Sequence, residues 1–514
     1  MSTLKKNIAA NFLGNIWTGL MGLVFVPLYI HFMGIEAYGL VGIFITLMTI
    51  SNLLDMGLTP TLNREIARMA VQNNKAQDMR DLVRTLEIPY WGIGLVSAAV
   101  IVLASPLIAD QWVNVKELPQ ESVRNAVMLM GLCAAIQWPT SFYSGGLMGL
   151  QKQVLLNGIK VFVATLRGLG AVFILWLISP TVEAFFLWQA AVSAVHISCI
   201  TFALWWSLPE AKAIPHFRPQ LLRDIWQFAA GVTGITILGG LLTQLDKIIL
   251  SRILPMNMFG YYILANTVAM TLLRFVGPVF GAIYPKLTSL IELGRQEELK
   301  KLYHQSTQLV SILVLPATIV VAFFAKEILL LWTKDPVTVD HTHLLVTILI
   351  MGTANLCLLY IPWALQLAYG TTRIVLISNI VSVLVLVPMI ILLTKWYGAL
   401  GAACIWLLLS FGRVAIIVPI VHRILLPGET WRWYIEDIGL PLLAAAVVCL
   451  IGRMIIKSDW SMLPLVCGIG LVSGAALLAA AFAANQLDVT AKTMAVLRSL
   501  QTKKKFIQPQ RIKS

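Results

Sequence analysis

The chain has 514 residues, 58% of them hydrophobic and only 12% charged, with a mean hydropathy of +0.82 and a formal net charge of +14. Such a composition excludes a soluble enzyme and describes an all-α integral membrane protein, polytopic and with no room for a soluble domain. The surplus of basic residues needs no nucleic acid to explain it once topology is considered, because Lys and Arg collect on the cytoplasmic side of membrane proteins.

About 20 apolar residues cross a bilayer as a helix. By that measure about fourteen spans are expected, at 12–33, 37–59, 88–109, 124–148, 158–179, 184–206, 226–250, 258–283, 306–325, 342–366, 373–394, 398–420, 438–456 and 462–484. Lys5 and Lys6 precede the first apolar run as in a secretory signal, but the run is long and lacks a small-residue cleavage site, so it reads as a retained first helix. An N-terminus in the cytoplasm puts about 26 Lys and Arg in cytoplasmic segments, about 8 opposite and four within spans, and places the C-terminus in the cytoplasm too. The loop carrying Arg64, Arg68, Lys75, Arg80 and Arg84, and the tail carrying Lys503, Lys504, Lys505, Arg511 and Lys513, are expected to meet anionic headgroups.

Polar residues recur at helical spacing along several spans. In the first, Asn7, Asn11, Asn15 and Thr18 share a face. The second carries Asn52, Asp55, Thr59 and Asn63 toward its cytoplasmic end, and the fifth aligns Asn157, Lys160 and Arg167. In the seventh, Thr233, Thr236, Gly240, Gln244, Lys247 and Ser251 form one broad face, with Asp246 about 100° around from Lys247. Thr267, Thr271 and Arg274 align in the eighth, and Trp406, Ser410 and Arg413 in the twelfth. Such stripes either hydrogen-bond one helix to another or line a hydrated cavity. Charge favours the second use: the deep cations Arg167, Lys247, Arg274 and Arg413 face only two deep acids, Asp55 and Asp246. A cavity receiving an anion would relieve the surplus, and phosphate suits both Arg and Lys. Lys247, Arg274, Arg167 and Arg413 are thus candidate substrate ligands, with Asn11, Asn15 and Thr18 as uncharged hydrogen-bonding groups beside them. Asp55 and Asp246 are candidates for ion coupling or for a structural pair.

Other chemistry is missing from the sequence. Cys133, Cys199, Cys357, Cys404, Cys449 and Cys467 lie inside expected spans without CxxC spacing, so neither a disulfide framework nor a zinc site is expected. His341 and His343 fall on different helix faces. Gly468 and Gly470 sit within an apolar helix, where small-residue packing explains them better than nucleotide binding, and no catalytic, metal or cofactor motif is found. Spans thirteen and fourteen are apolar almost all round and should face lipid.

The chain also repeats itself. His31 to Leu40 and Arg252 to Tyr261 each hold a short turn followed by an aromatic-Gly pair, Tyr38-Gly39 and Phe259-Gly260, 221 residues apart. That spacing accommodates six helices and suggests two related halves of like orientation. The expected organisation is an N-terminal lobe 1–224, a C-terminal lobe 225–424, two additional helices within 425–484 and a basic tail 485–514.

The segments Phe32 to Gly39, Leu245 to Leu250, Pro255 to Tyr262 and the Tyr284-Pro285 pair give the chain its family likeness. It resembles polysaccharide-biosynthesis flippases of the Wzx type, in the superfamily that holds the lipid II flippase MurJ and the MATE exporters. The resemblance implies two six-helix lobes in a V around a central cavity, two peripheral C-terminal helices with a groove for a lipid tail, and residence in the bacterial inner membrane. It further implies alternating access that carries a polyprenyl-pyrophosphate-linked oligosaccharide to the outer leaflet without breaking a bond. Membrane lipids and a polysaccharide polymerase or assembly machinery are the implied partners. A lipid II flippase shares the pyrophosphate chemistry, whereas a MATE-like exporter of cationic drugs should favour acidic residues in its cavity. A membrane glycan polymerase or ligase would be expected to carry large external loops or a catalytic constellation.

Overall fold

A backbone in hydrocarbon has no water to bond, so a chain this apolar must satisfy its N–H and C=O groups within helices. The computed structural model describes residues 3–484 apart from Leu54, Met56, Val71, Asn73, Asn74, Lys212, Thr372, Ser458 and Asp459, and omits the side chains of 3–5, 8–9, Leu222 and 224–238. The basic tail expected at 485–514 and the side chains of Thr233 and Thr236 lie outside the described residues. Among the described residues there is no β-strand, only an isolated bridge between Asn114 and Pro255.

The helices run in chain order as α1 (Thr3–Val24), α2 (Val26–Leu53), α3 (Leu58–Met69), α4 (Ala76–Leu107), α5 (Gln120–Gln137), α6 (Thr140–Gly149), α7 (Gln153–Leu177), α8 (Val182–Ser207), α9 (Pro219–Ile253) and α10 (Met256–Met270). There follow α11 (Leu273–Glu292), α12 (Gln296–Phe323), α13 (Ala325–Thr333), α14 (Pro336–Leu358), α15 (Tyr360–Ala368), α16 (Arg373–Leu425), α17 (Thr430–Arg432), a π-helical turn (Trp433–Gly439), α18 (Leu440–Ile455) and α19 (Met462–Ala483). Each expected span overlaps helix, and among the described residues eleven helical stretches are long and apolar enough to cross a membrane. Two stretches conceal turns. Gly34, at φ 83°, breaks α2, and Gly398, at φ 60°, breaks the 53-residue α16, both in the left-handed region that favours glycine. The ends expected for the first and eleventh spans fall beside these glycines.

Contacts divide the chain into two units, one of 1–268 with 376–405 and one of 269–375 with 406–514. Residues 225–268 and 376–405, expected in the second lobe, therefore group with the first unit. In the first unit α3, α4, α6 and α8 share an apolar core that includes Leu62, Leu86, Phe142 and Leu204. α9 packs on α2, and the two repeated segments meet directly at their glycines. A Cβ at Gly39 would lie 2.6 Å from the sulfur of Met256 and 2.8 Å from its carbonyl oxygen, and one at Gly260 only 2.3 Å from the Ile35 carbonyl oxygen. The aromatic-Gly echo thus marks the place where α2 and α10 approach backbone to backbone, the usual work of small residues between membrane helices. Glu36 fixes the neighbouring loop by accepting the backbone N–H groups of Lys116, Glu117 and Leu118 at 2.6, 2.7 and 3.0 Å.

In the second unit α12 is central, packed on α14, α18 and α19. The outward faces of α18 and α19, with Leu450, Met454, Leu471 and Phe482, are exposed apolar surface suited to lipid. A polar tie escapes the apolar reading of span thirteen: Arg453 donates to the buried Glu327 of α13 at 2.5 Å and lies over the Phe324 ring at 5.7 Å.

Candidate functional site

The charged pair of α9 is closed upon itself. Lys247 Nζ donates to both carboxylate oxygens of Asp246, at 3.1 and 3.2 Å, and to the Thr243 carbonyl at 2.8 Å. The Tyr262 hydroxyl of α10 donates to Asp246 Oδ2 at 2.7 Å. All three side chains are buried. Neighbouring residues on a helix project about 100° apart, yet the flexible lysine stem bends back to its acidic neighbour. The pair is neutral as a whole and brackets the α2–α10 approach, with Tyr38 OH reaching Thr267 Oγ1 at 3.4 Å nearby.

Asp55 has neutral partners. It accepts the Thr59 hydroxyl at 2.5 Å, the Thr59 N–H at 3.2 Å and the Tyr90 hydroxyl at 2.6 Å. The polar stripe of α1 turns partly into helix packing: Asn157 Nδ2 of α7 donates to Asn11 Oδ1 at 2.5 Å, and Asn7 Nδ2 to the Gln151 carbonyl at 3.3 Å. Thr18 returns its hydroxyl to the Gly14 carbonyl at 2.9 Å, while Asn15 is exposed.

Arg167 of α7 meets no carboxylate. Its Nη1 donates to Gln137 Oε1 of α5 and its Nη2 to Ser193 Oγ of α8, both at 3.2 Å, while its buried Nε has no hydrogen-bond partner. In the second unit Arg274 is exposed on α11, its backbone N–H bonded to the Thr271 carbonyl at 3.1 Å, and Arg413 is half-buried on α16. The structure therefore gathers Asp246 with Lys247 and Asn11 with α7. Arg167 bonds to neither group, and Arg274 and Arg413 belong to the other unit.

One constellation in the second unit has no counterpart in the sequence reading. His304 of α12, wholly buried, bonds Asp437 Oδ2 through Nδ1 at 2.5 Å and Glu429 Oε2 through Nε2 at 3.1 Å. Gln308 Nε2 donates to the other Asp437 oxygen at 3.0 Å, Lys300 reaches Glu429 at 3.3 Å, and Tyr303 bonds His422 Nε2 at 2.7 Å. An imidazole donates to two carboxylates at once only when both nitrogens carry protons. Glu429 lies outside the spans; burial alone would raise its carboxyl, but bonds from His304 and Lys300 outweigh that and hold it below the ordinary value. The π-helical turn aims Asp437 inward, and no sequence motif announces such a turn. The detectable signal was the spacing of His304 and Gln308, one helical turn apart at the polar start of the ninth span. Close by, Phe411, Val414, Trp431 and Tyr434 line an apolar cavity of about 680 Å³.

Among the described residues no group of His, Cys, Asp and Glu could hold a metal ion.

A family model described as polysaccharide biosynthesis protein matches residues 4–291. The chain is 20% identical over 406 residues to a Shigella flexneri protein provisionally named an O-antigen transporter, covering 79% of this chain and 94% of that one. Among solved structures it is similar to the lipid II flippase MurJ in an inward closed conformation, with a TM-score of 0.66, 12% identity and coverage of 92% of this chain and 97% of that one. It is also similar to the MATE multidrug transporter DinF-BH, with a TM-score of 0.60, 13% identity and coverage of 82% and 95%. At such identities the structural likeness establishes the fold alone, an all-α arrangement of membrane-length helices.

Proposed function

The chain belongs to the polysaccharide biosynthesis protein family, and from that premise we propose that it is a flippase that moves a polyprenyl-pyrophosphate-linked oligosaccharide from the cytoplasmic to the outer leaflet of a bacterial inner membrane. It is a transporter and catalyses no covalent step. The observation that carries the choice of an anionic substrate is how the deep charges are used. Asp246 is taken by Lys247 and Tyr262, and Asp55 by Thr59 and Tyr90, so neither acid is available to neutralise Arg167 or the exposed Arg274. Cation left over inside spans attracts anions and opposes a cationic drug, which favours this reading over a MATE-like exporter.

In this reading Arg274, Arg167 and Arg413 attract the pyrophosphate, Asn11, Asn15 and Thr18 offer hydrogen bonds to the sugars, and the isoprenoid tail stays in lipid. Lys247 reaches a ligand when its pair with Asp246 opens. Lobes 1–224 and 225–424 then exchange access from one side to the other, with both termini in the cytoplasm and a polymerase receiving the product.

Deletion of the gene should accumulate an untranslocated lipid-linked glycan on the cytoplasmic side, and the wild-type chain should clear it. Arg274→Glu at unchanged expression should fail to do so. Normal surface glycan in the deletion strain would refute the flippase reading, and normal glycan with Arg274→Glu would remove that residue from the site.

A further inference from the structure

Where α4 ends and α5 begins, the first unit frames a cavity to which transport gives no role. α4 runs through Pro106 into a π-helical turn at Ile108–Trp112, and α5 packs against both. The cavity holds about 660 Å³, within the usual range of small-molecule sites. Val102, Leu103, Pro106 and Met128 form an apolar wall, and Asp110, Glu121 and Arg124 a charged one. The spans expected at 88–109 and 124–148 end and begin here, so the apolar wall lies toward hydrocarbon and the charged wall toward water.

The three charges converge without pairing. Glu121 and Arg124 stand three apart on α5, the spacing at which Glu65 and Arg68, Lys75 and Asp78, and Arg84 and Glu87 each close an ion pair at 2.8 Å in the same unit. Among the described residues the side chains of Asp110, Glu121 and Arg124 make no ion pair or hydrogen bond. The frame that carries them is fixed from behind. Trp112 Nε1 donates to Ser251 Oγ at 3.0 Å, Arg252 lies over the Trp112 ring at 5.3 Å, and the Asn114 carbonyl accepts the Met256 N–H at 2.9 Å. Glu36 then holds the N–H groups of 116–118. Solvation accounts for one open surface pair, since closing it gains little. It does not account for two acids and a base around one preformed cavity with an apolar wall.

We propose that this cavity seats the headgroup of a phospholipid that carries a primary amine. Arg124 meets the phosphate, Asp110 and Glu121 share the ammonium, and the acyl chains follow the exposed stripe of Val96, Val100, Leu103 and Leu107 along α4. Two acids to one base disfavour an anionic lipid. A primary ammonium offers N–H donors to both carboxylates. A trimethylammonium offers none and is ordinarily held by an aromatic cage, and no aromatic ring lines this cavity. A soluble zwitterion would match the charges but leave the apolar wall and stripe unused. The site needs a bilayer and does not depend on what the chain transports.

Native mass spectrometry of the full-length protein in detergent tests the site, with phosphatidylethanolamine, its N-methyl and N,N-dimethyl derivatives and phosphatidylcholine of identical acyl chains as probes. The wild type should bind phosphatidylethanolamine roughly fivefold tighter than phosphatidylcholine, with affinity falling as N–H groups are methylated. Asp110→Asn/Glu121→Gln should bind the two lipids alike, and Arg124→Gln should bind both roughly fivefold more weakly. Equal affinity of the wild type for the two lipids, an undiminished preference in Asp110→Asn/Glu121→Gln, or tighter binding of phosphatidylglycerol would overturn the site. The methylation series uses the wild type alone and keeps the test decisive should a variant fail to fold. A preference that vanishes when divalent cations are chelated would assign the two acids to a metal and overturn the site as well.

Discussion

Replacing Asp246 by Asn decides what Lys247 is for. Lys247 is 6% exposed and Asp246 3%, and the ammonium's remaining acceptor is the Thr243 carbonyl at 2.8 Å. Removing the carboxylate charge strands a buried cation, which costs about 3–5 kcal/mol, whereas removing both charges is close to neutral when packing is kept. Asp246→Asn should therefore lose about 3–5 kcal/mol and Asp246→Asn/Lys247→Met about 1 kcal/mol or less, so that the double-mutant cycle returns a coupling of several kcal/mol. Reversible unfolding in mixed detergent micelles, followed by tryptophan fluorescence, measures the four species. Transport supplies an independent arm. If the pair is a brace beside the α2–α10 approach, the double variant restores surface glycan to a deletion strain as well as the wild type does. A single variant Asp246→Asn within 1 kcal/mol of the wild type would refute the brace, and a stable double variant that fails to complement would return Lys247 to the substrate.

Other consequences follow from packing and titration. Gly260→Ala drives a methyl against the Ile35 carbonyl and should cost about 1–3 kcal/mol, while Gly470→Ala, with nothing within 4 Å, should stay within about 0.5 kcal/mol by the same unfolding assay. Arg453→Ala removes the ion-pair partner of buried Glu327 and should destabilise by about 1–3 kcal/mol, and pairing it with Glu327→Gln should recover most of the loss. The carboxyl of Glu429 is held below its ordinary value near 4.5, so its contribution to stability is present above that value and lost as pH falls through the lowered one. Thermal midpoints measured from neutral to acid should fall less steeply for Glu429→Gln than for the wild type, and parallel curves would remove Glu429 from the acid limb.

The legible parts of this molecule are those that hydrocarbon imposes on each residue separately. Apolar run length found the helices, and the turns at Gly34 and Gly398 fell where the apolar runs paused, because a positive φ beside a membrane-length helix leaves glycine as the fitting residue. The aromatic-Gly echo was visible as a repeat, but that Gly39 and Gly260 are spacers for one another was not, since a repeat says that two segments are alike and nothing of whether they touch. Charges were read least well for the same reason. Helical phasing put Lys247 on the polar stripe and left Asp246 to pair with either Arg274 or Lys247; the partner is Lys247, because a lysine stem is long enough to bend through the angle between them when the alternative is a bare buried ammonium. The His304, Glu429 and Asp437 cluster draws on residues up to 133 positions apart and on a π-helical turn, so it exists only after α12 and the approach to α18 have packed. Arg167 stands out from the other charges. The imbalance of charges along the chain said that some deep cations would lack a counter-charge without saying which, and folding, which supplied partners to both deep acids, supplied this cation with an amide and a hydroxyl. A guanidinium held by an amide and a hydroxyl keeps its charge uncancelled, and it is that uncancelled charge on which the proposal of an anionic cargo rests.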